Sequence, residues 1–265
     1  MVSEKFFEAP QPQRRVVLIG ASNLSRGLPT LIELVRRGWR EPLDVVAAPG
    51  RGRSYGLTSR LLGRQLPSLT ACGLWSALDA GPRLPTSALA TDVGNDIVYG
   101  VPVEQLLRWV EEVLQRLQRY EARTTVTSLP IAALSGLSPA RYKVLRSLLF
   151  PGFRITLAEA FERAQAVDAG LRRLAERYGA TLVEAHGAWY GIDPIHIRRP
   201  QWSAAWGEVI ATWQPPHGIE RVRVAPWHWF ASQLQRPEER RLWGFTQRRT
   251  QPSATFADGT RVSIY

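Results

Sequence analysis

The strongest constraint on this chain is an alternation. Short apolar or β-branched runs occur at 16–19, within "LDVVAAPGRGRSYG" (43–56), from 86 to near Val93, at 123–130 and at 180–187. Between them lie stretches whose apolar residues recur at helical spacing. One covers 28–37 and stops at Gly38. Another starts at Val103 and carries Leu106, Leu107, Val110, Val113, Leu114 and Leu117 on one face. Further helices are expected over 139–150, 156–178 and 198–213. Strands that alternate with helices pair in parallel through right-handed crossovers. The reading is therefore an α/β domain around a five-stranded parallel sheet, and 265 residues with 45% apolar content can fill its core.

The texture changes after residue 214. Pro215, Pro216 and Pro226 interrupt the chain, and Trp227, Trp229 and Trp243 follow close together. Asp258-Gly259 sits between β-prone runs, a hairpin signal. The expected organisation is a polar lead-in over 1–14, a domain over 15–213, and a C-terminal extension over 214–265. The extension is read as lying on the α/β core, with its tryptophans as the glue. Residues Gly136 to Phe153 carry loop punctuation and are a candidate lid.

Composition narrows the function classes. The formal net charge is +11, almost wholly from arginine, since Lys5 and Lys143 are the only lysines. These arginines are scattered, with no run of five basic residues, so no specific nucleic-acid partner is expected. No apolar run reaches the ~18 residues of a membrane helix. The first residues lack the ~7–15-residue apolar core of a leader, so a cytoplasmic setting is expected. Cys72 is the only cysteine, so an internal disulfide framework and a cysteine-based zinc site are excluded. No phosphate-binding glycine motif follows a strand, and no close His/Asp/Glu cluster points to a metal. No cofactor is expected.

In a parallel sheet, ligands gather beyond the carboxyl ends of the strands. The residues just after each strand are Ser22 in "VVLIGASN", Gly50 and Gly52 in "PGRGRS", Asn95 in "GND", and Asp193 and His196 in "GIDPIH". Singly, each has an ordinary structural reading. Ser22 can cap a helix, the glycines can permit tight turns, and Asn95 and Asp193 can start turns. Together they form a chemical set. A serine hydroxyl needs a base, and a base needs an orienting group. Asp193, three residues before His196, can hold one imidazole nitrogen and leave the other for Ser22. The Ser22 N–H, a loop-glycine N–H and the Asn95 amide are candidate donors to an oxyanion. His186, near Glu184, is a rival base.

These blocks resemble those of the SGNH hydrolases, also called the GDSL-like esterases and lipases. The match lies in Ser22 of "GAS", a glycine of "GRGRS", Asn95 of "GND", and Asp193 with His196 of "DPIH", and spans about residues 15–213. The resemblance implies a flavodoxin-like three-layer α/β/α fold. It also implies metal-free ester hydrolysis through an acyl-serine, with Ser22, Asp193 and His196 as catalytic residues. Ser22, Gly52 and Asn95 would form the oxyanion hole. Two departures stand out. Ala21 occupies the place of the acid that precedes the family's serine. The glycine of the second block is Gly52 by its distance from the strand, with Gly50 second.

The expected substrate is a small-molecule, carbohydrate or lipid ester with an acetyl or other short acyl group. Its pocket walls are sought in 54–86 and 130–155. The alternatives are an acyltransferase with the same three residues, and an inactive binding module that uses a basic, Trp-bearing surface. Oligomeric state is not legible.

Overall fold

The computed structural model describes residues 10–149, 155–225, 227 and 236–265. In chain order the elements are β1 (Arg14–Ile19), α1 (Ser22–Trp39), β2 (Leu43–Ala48), β3 (Ser59–Leu61), β4 (Arg64–Leu66), α2 (Leu74–Ala80) and β5 (Thr86–Ala90). There follow α3 (Asn95–Val98), α4 (Val103–Gln118), β6 (Arg123–Thr127), α5 (Ile131–Ser135), α6 (Pro139–Leu149), α7 (Leu157–Arg177), β7 (Thr181–Val183) and α8 (Trp202–Ala211). The chain closes with β8 (Glu239–Leu242), β9 (Phe245–Arg248), β10 (Ala254–Thr255) and β11 (Arg261–Ile264).

The central sheet has the order β10-β11-β2-β1-β5-β6-β7. The strands from β2 to β7 are the five expected, all parallel. Counted along the chain they run second, first, third, fourth, fifth, which is the flavodoxin-like order. Their side chains alternate between two cores. Val17, Ile19, Val46 and Ala88 face a layer that includes α4 and α7, while Val16, Leu18, Val45 and Leu89 face one that includes α1 and α8. Strands buried on both faces read as continuous apolar runs, which is why "VVLI" carries no polar alternation.

The sheet is larger than expected, with seven strands. Residues 254–264 do not merely lie on the core. β11 pairs in parallel with β2, and β10 pairs antiparallel with β11 across the Asp258-Gly259 turn. Val262 and Ile264 are buried by this pairing. β2 is thus interior, as its apolar sequence requires. A second sheet, β3-β4-β8-β9, joins residues 59–66 to 239–248. The tryptophan expectation is corrected as well: Trp227 and Trp243 are exposed and bury little against the core. Residues 1–9 of the lead-in, 150–153 of the candidate lid, and Pro226, His228 and Trp229 lie outside the described residues.

Helix α1 begins six residues before the amphipathic pattern does. Ser22 and Asn23 are buried along with Leu24 and Gly27, so polar residues on the inner side mask the helical period. Gly27 lies where α1 packs against α8. A Cβ there would stand 1.9 Å from Nε1 of Trp206, which is itself buried. Gly27→Ala should therefore lower stability by at least about 1–3 kcal/mol, as overpacking of a filled core does. Urea unfolding checks this, and an unchanged midpoint would contradict the packing described.

Candidate active site

The parallel strands end in line. Ile19 is level with Ala48 on one side and Ala90 on the other. The turns after β1, β2 and β5 therefore emerge together. Strand order reverses between β1 and β5, the crevice where open α/β sheets take their ligands.

At the end of β1, a Cβ on Gly20 would fall 2.6 Å from Cγ2 of Thr91, so only glycine brings these turns so close. Ala21 is the N-cap of α1, Ser22 is its first helical residue, and no side-chain bond from the cap position closes the helix. Ser22 is thus not the helix cap. That role falls to Asp92, distant in sequence. Its Oδ2 accepts the N–H of Ala21 at 2.8 Å and of Leu24 at 3.1 Å. Leu24 is the third helical residue, whose N–H a capping side chain ordinarily takes. The carboxylate missing at Ala21 is therefore supplied from the end of another strand.

Asp92 has φ +62°, a left-handed conformation that Asp and Asn adopt more readily than most residues. That turn is why β5 stops at Ala90 and not near Val93. The other oxygen of Asp92 accepts from Nδ2 of Asn23 at 2.7 Å. Asn23 also donates to the Ile195 carbonyl at 2.9 Å and accepts the Ile197 N–H at 2.8 Å. Asp92 and Asn23 thus tie the serine turn to the backbone on both sides of His196. Sequence reasoning missed both residues, although each adjoins a quoted block.

The structure brings Ser22, His196 and Asp193 into one hydrogen-bonded line. Nε2 of His196 lies 3.0 Å from Oγ of Ser22, and Nδ1 lies 2.5 Å from Oδ2 of Asp193. Oδ1 of Asp193 accepts the Ile195 N–H at 3.1 Å, which fixes the carboxylate within its own turn. Burial pushes the Asp193 carboxyl up, but hydrogen bonds from His196 and Ile195 and the charge of Arg26 outweigh it. The net effect holds this carboxyl below its ordinary value. The rival base, His186, pairs with Glu208 at 2.9 Å on the surface.

The two loop glycines separate cleanly. The Gly50 N–H points to the Ala21 carbonyl at 3.4 Å. Gly52 has φ +68°, and its carbonyl accepts from the Tyr99 hydroxyl at 2.6 Å. Among the described residues, no backbone bond uses the Gly52 N–H. Asn95 donates through Nδ2 to the Arg53 carbonyl at 3.3 Å. Beside it, Asp96 is fully buried and accepts from Ser54 Oγ and from the Tyr55 N–H at 3.0 Å. Burial raises its carboxyl to about 6, against the opposing pull of those hydrogen bonds.

Two recesses flank this line. The first, of about 140 Å³, touches Ser22 and Asn95 and is otherwise mostly apolar, with Leu129, Leu134, Phe161 and Trp189 in its wall. The second, of about 720 Å³, is open and touches His196 and Asp193. Among the described residues, the 54–86 stretch contributes no wall to either recess. The first recess is walled instead by α5, α7 and the turns after β5, β6 and β7. Among the described residues there is no cluster of three or more His, Cys, Asp or Glu that could hold a metal, and no helix is long and apolar enough to cross a membrane.

Two outcomes follow from this geometry. Asp92→Ala frees three donors at once and should lower stability in urea unfolding by about 1–3 kcal/mol, the cost of leaving buried donors unpaired. Asp92→Asn, which keeps an acceptor and tolerates the backbone angle, should lose less; equal losses would contradict the capping role. The Asp96 carboxyl titrates at about 6 when folded and near 3.9 when unfolded. Between those values the folded state holds a proton that the unfolded chain has lost, so its contribution to stability falls as pH rises. The stability of the protein relative to Asp96→Asn should decline by about 2 kcal/mol from pH 4 to pH 6.5. Urea midpoints across that range read it, and a flat difference would contradict it.

No protein-family model and no curated protein matches the chain. Solved structures do. One superposes with a TM-score of 0.54 at 15% identity, covering 76% of this chain and 97% of the other. A Bacteroides fragilis protein described as a "putative acylhydrolase" gives 0.52 at 11% identity, covering 79% and 92%. AlinE4, described as an SGNH-hydrolase family esterase, gives 0.43 at 17% identity, covering 81% and 86%. At such identities the first two likenesses bear on the fold alone, an α/β architecture with helices on both faces of a mostly parallel sheet.

Proposed function

We propose that the protein is a serine esterase that cleaves a carboxylic ester through an acyl-serine intermediate. The observation that carries this reading is the Ser22–His196–Asp193 line at the strand-order reversal, with hydrogen-bond distances of 3.0 and 2.5 Å. Ser22 Oγ attacks the ester carbonyl while His196 Nε2 takes its proton. Asp193 holds the imidazole and stabilises its charged form. The alkoxide leaves as the C–O bond breaks and takes the proton from His196. Water then attacks the acyl-serine, with His196 again as base, and releases the acid.

The negative charge on the carbonyl oxygen needs donors. Ser22 opens α1, so its N–H has no partner within the helix and sits at the positive end of the helix dipole. Gly52 N–H and the second N–H of Asn95 complete the set. Each such donor is worth about 10²–10³ in turnover. Gly52 is favoured over Gly50, whose N–H already faces the Ala21 carbonyl.

The recess beside Ser22 suits the acyl group. At about 140 Å³ it compares with an apolar cavity of ~150 Å³ that admits benzene. A butyryl to octanoyl chain fits that size better than acetyl. Across p-nitrophenyl esters, kcat/KM should rise from acetate to about hexanoate; a steady fall from acetate would contradict the assignment. Ser22→Ala and His196→Ala should each lower kcat by at least about 10³-fold, whereas His186→Ala should stay within about twofold. Full activity in Ser22→Ala would overturn the esterase reading. An active Ser22 with no net hydrolysis, but with ester formed on an added alcohol, would favour acyl transfer.

A further inference from the structure

The second recess holds an uneven charge. Arg26, Arg51, Arg198 and Arg199 line it, and Asp193 is the only carboxylate among its lining residues. These arginines come from α1, the loop after β2, and the segment following His196. These three segments are far apart in sequence and line one recess. Arg26 shows the crowding: burial lowers its pKa, Asp193 raises it, and the charge of Arg51 lowers it again. Asp193 is itself committed to His196 and to the Ile195 N–H. The Arg198 guanidinium donates to the Ala188 carbonyl at 2.8 Å, a neutral partner that leaves its charge in place.

The chemistry of the line tells the two recesses apart. In ester cleavage the histidine must hand a proton to the departing alkoxide, so the alcohol side lies on the histidine side. The apolar recess touches Ser22 and Asn95 but not His196, while the arginine recess touches His196 but not Ser22. Resting on the esterase reading, we propose that the arginine recess binds the alcohol portion of the substrate and that this portion carries an anionic group. A carboxylate, sulfate or phosphate ester all qualify, because guanidinium groups pair with planar or tetrahedral oxyanions through forked hydrogen bonds. The site then sorts an amphiphilic ester by polarity, with its apolar acyl chain on one side of Ser22 and its anion on the other.

The test uses a matched pair, 4-carboxyphenyl butyrate and its methyl ester, with the full chain. The anionic ester should show a kcat/KM at least about tenfold above the neutral one at low salt. That ratio should shrink toward one as ionic strength rises, because exposed charges are screened. In Arg26→Gln/Arg51→Gln the ratio should collapse to within about twofold. Arg51→Gln alone, at an exposed position, should lower it in the same direction if the double variant does not fold. A wild-type ratio near one, or a ratio that neither salt nor these substitutions alters, would overturn the proposal while leaving the esterase reading intact. Cleavage of both esters that persists in Ser22→Ala would instead overturn the esterase reading, and the proposal with it.

Discussion

The site depends on one carboxylate at the amino end of one helix. Asp92 satisfies two of the backbone N–H groups that open α1, and through Asn23 it also holds the loop that carries His196. An ordinary helix of this kind would be capped by its own serine, and a capping hydroxyl already engaged with a backbone N–H is poorly placed to meet a base. Capping from a different strand removes that conflict. It leaves Ser22 Oγ within 3.0 Å of His196 while the helix end stays satisfied. The arrangement works only because β1 and β5 are neighbours that end level with each other.

Much of this was legible in the residues. The five parallel strands β1, β2, β5, β6 and β7 and the long helices follow from apolar runs and helical periodicity, and strand ends located Ser22, Asn95, Asp193 and His196. What escaped was what periodicity does not encode. Asp92 looked like the last polar residue of a strand, because a left-handed turn leaves no apolar pattern. The opening of α1 was hidden because polar Ser22 and Asn23 are buried on its inner side, where a period would show apolar residues. β11 is not legible as a strand of the main sheet, since four residues pairing with a distant β2 form a contact that local sequence does not announce. Gly50 and Gly52 look alike in sequence, and what distinguishes them is a contact distant along the chain, the Gly50 N–H facing the Ala21 carbonyl.

The arginines make the same point about charge. Along the chain they are scattered, which argues against a polyanion-binding tract. In space, four of them meet beside His196. A basic composition that looks diffuse in one dimension becomes a local positive field beside His196, and a recess lined by one sign of charge draws anions. The apolar recess on the other side of Ser22 is its complement. Together they describe a site with an apolar end and a charged end, and the Ser22–His196 pair lies between them.

The central claim is that Ser22 is a nucleophile activated by His196. It is tested most directly by incubating the protein with a p-nitrophenyl alkylphosphonate and mapping the product by mass spectrometry. The account predicts one covalent phosphonyl group per chain, on Ser22, and no such adduct when His196 is replaced by alanine. Absence of an adduct on the intact protein, or an adduct on another residue, would contradict it.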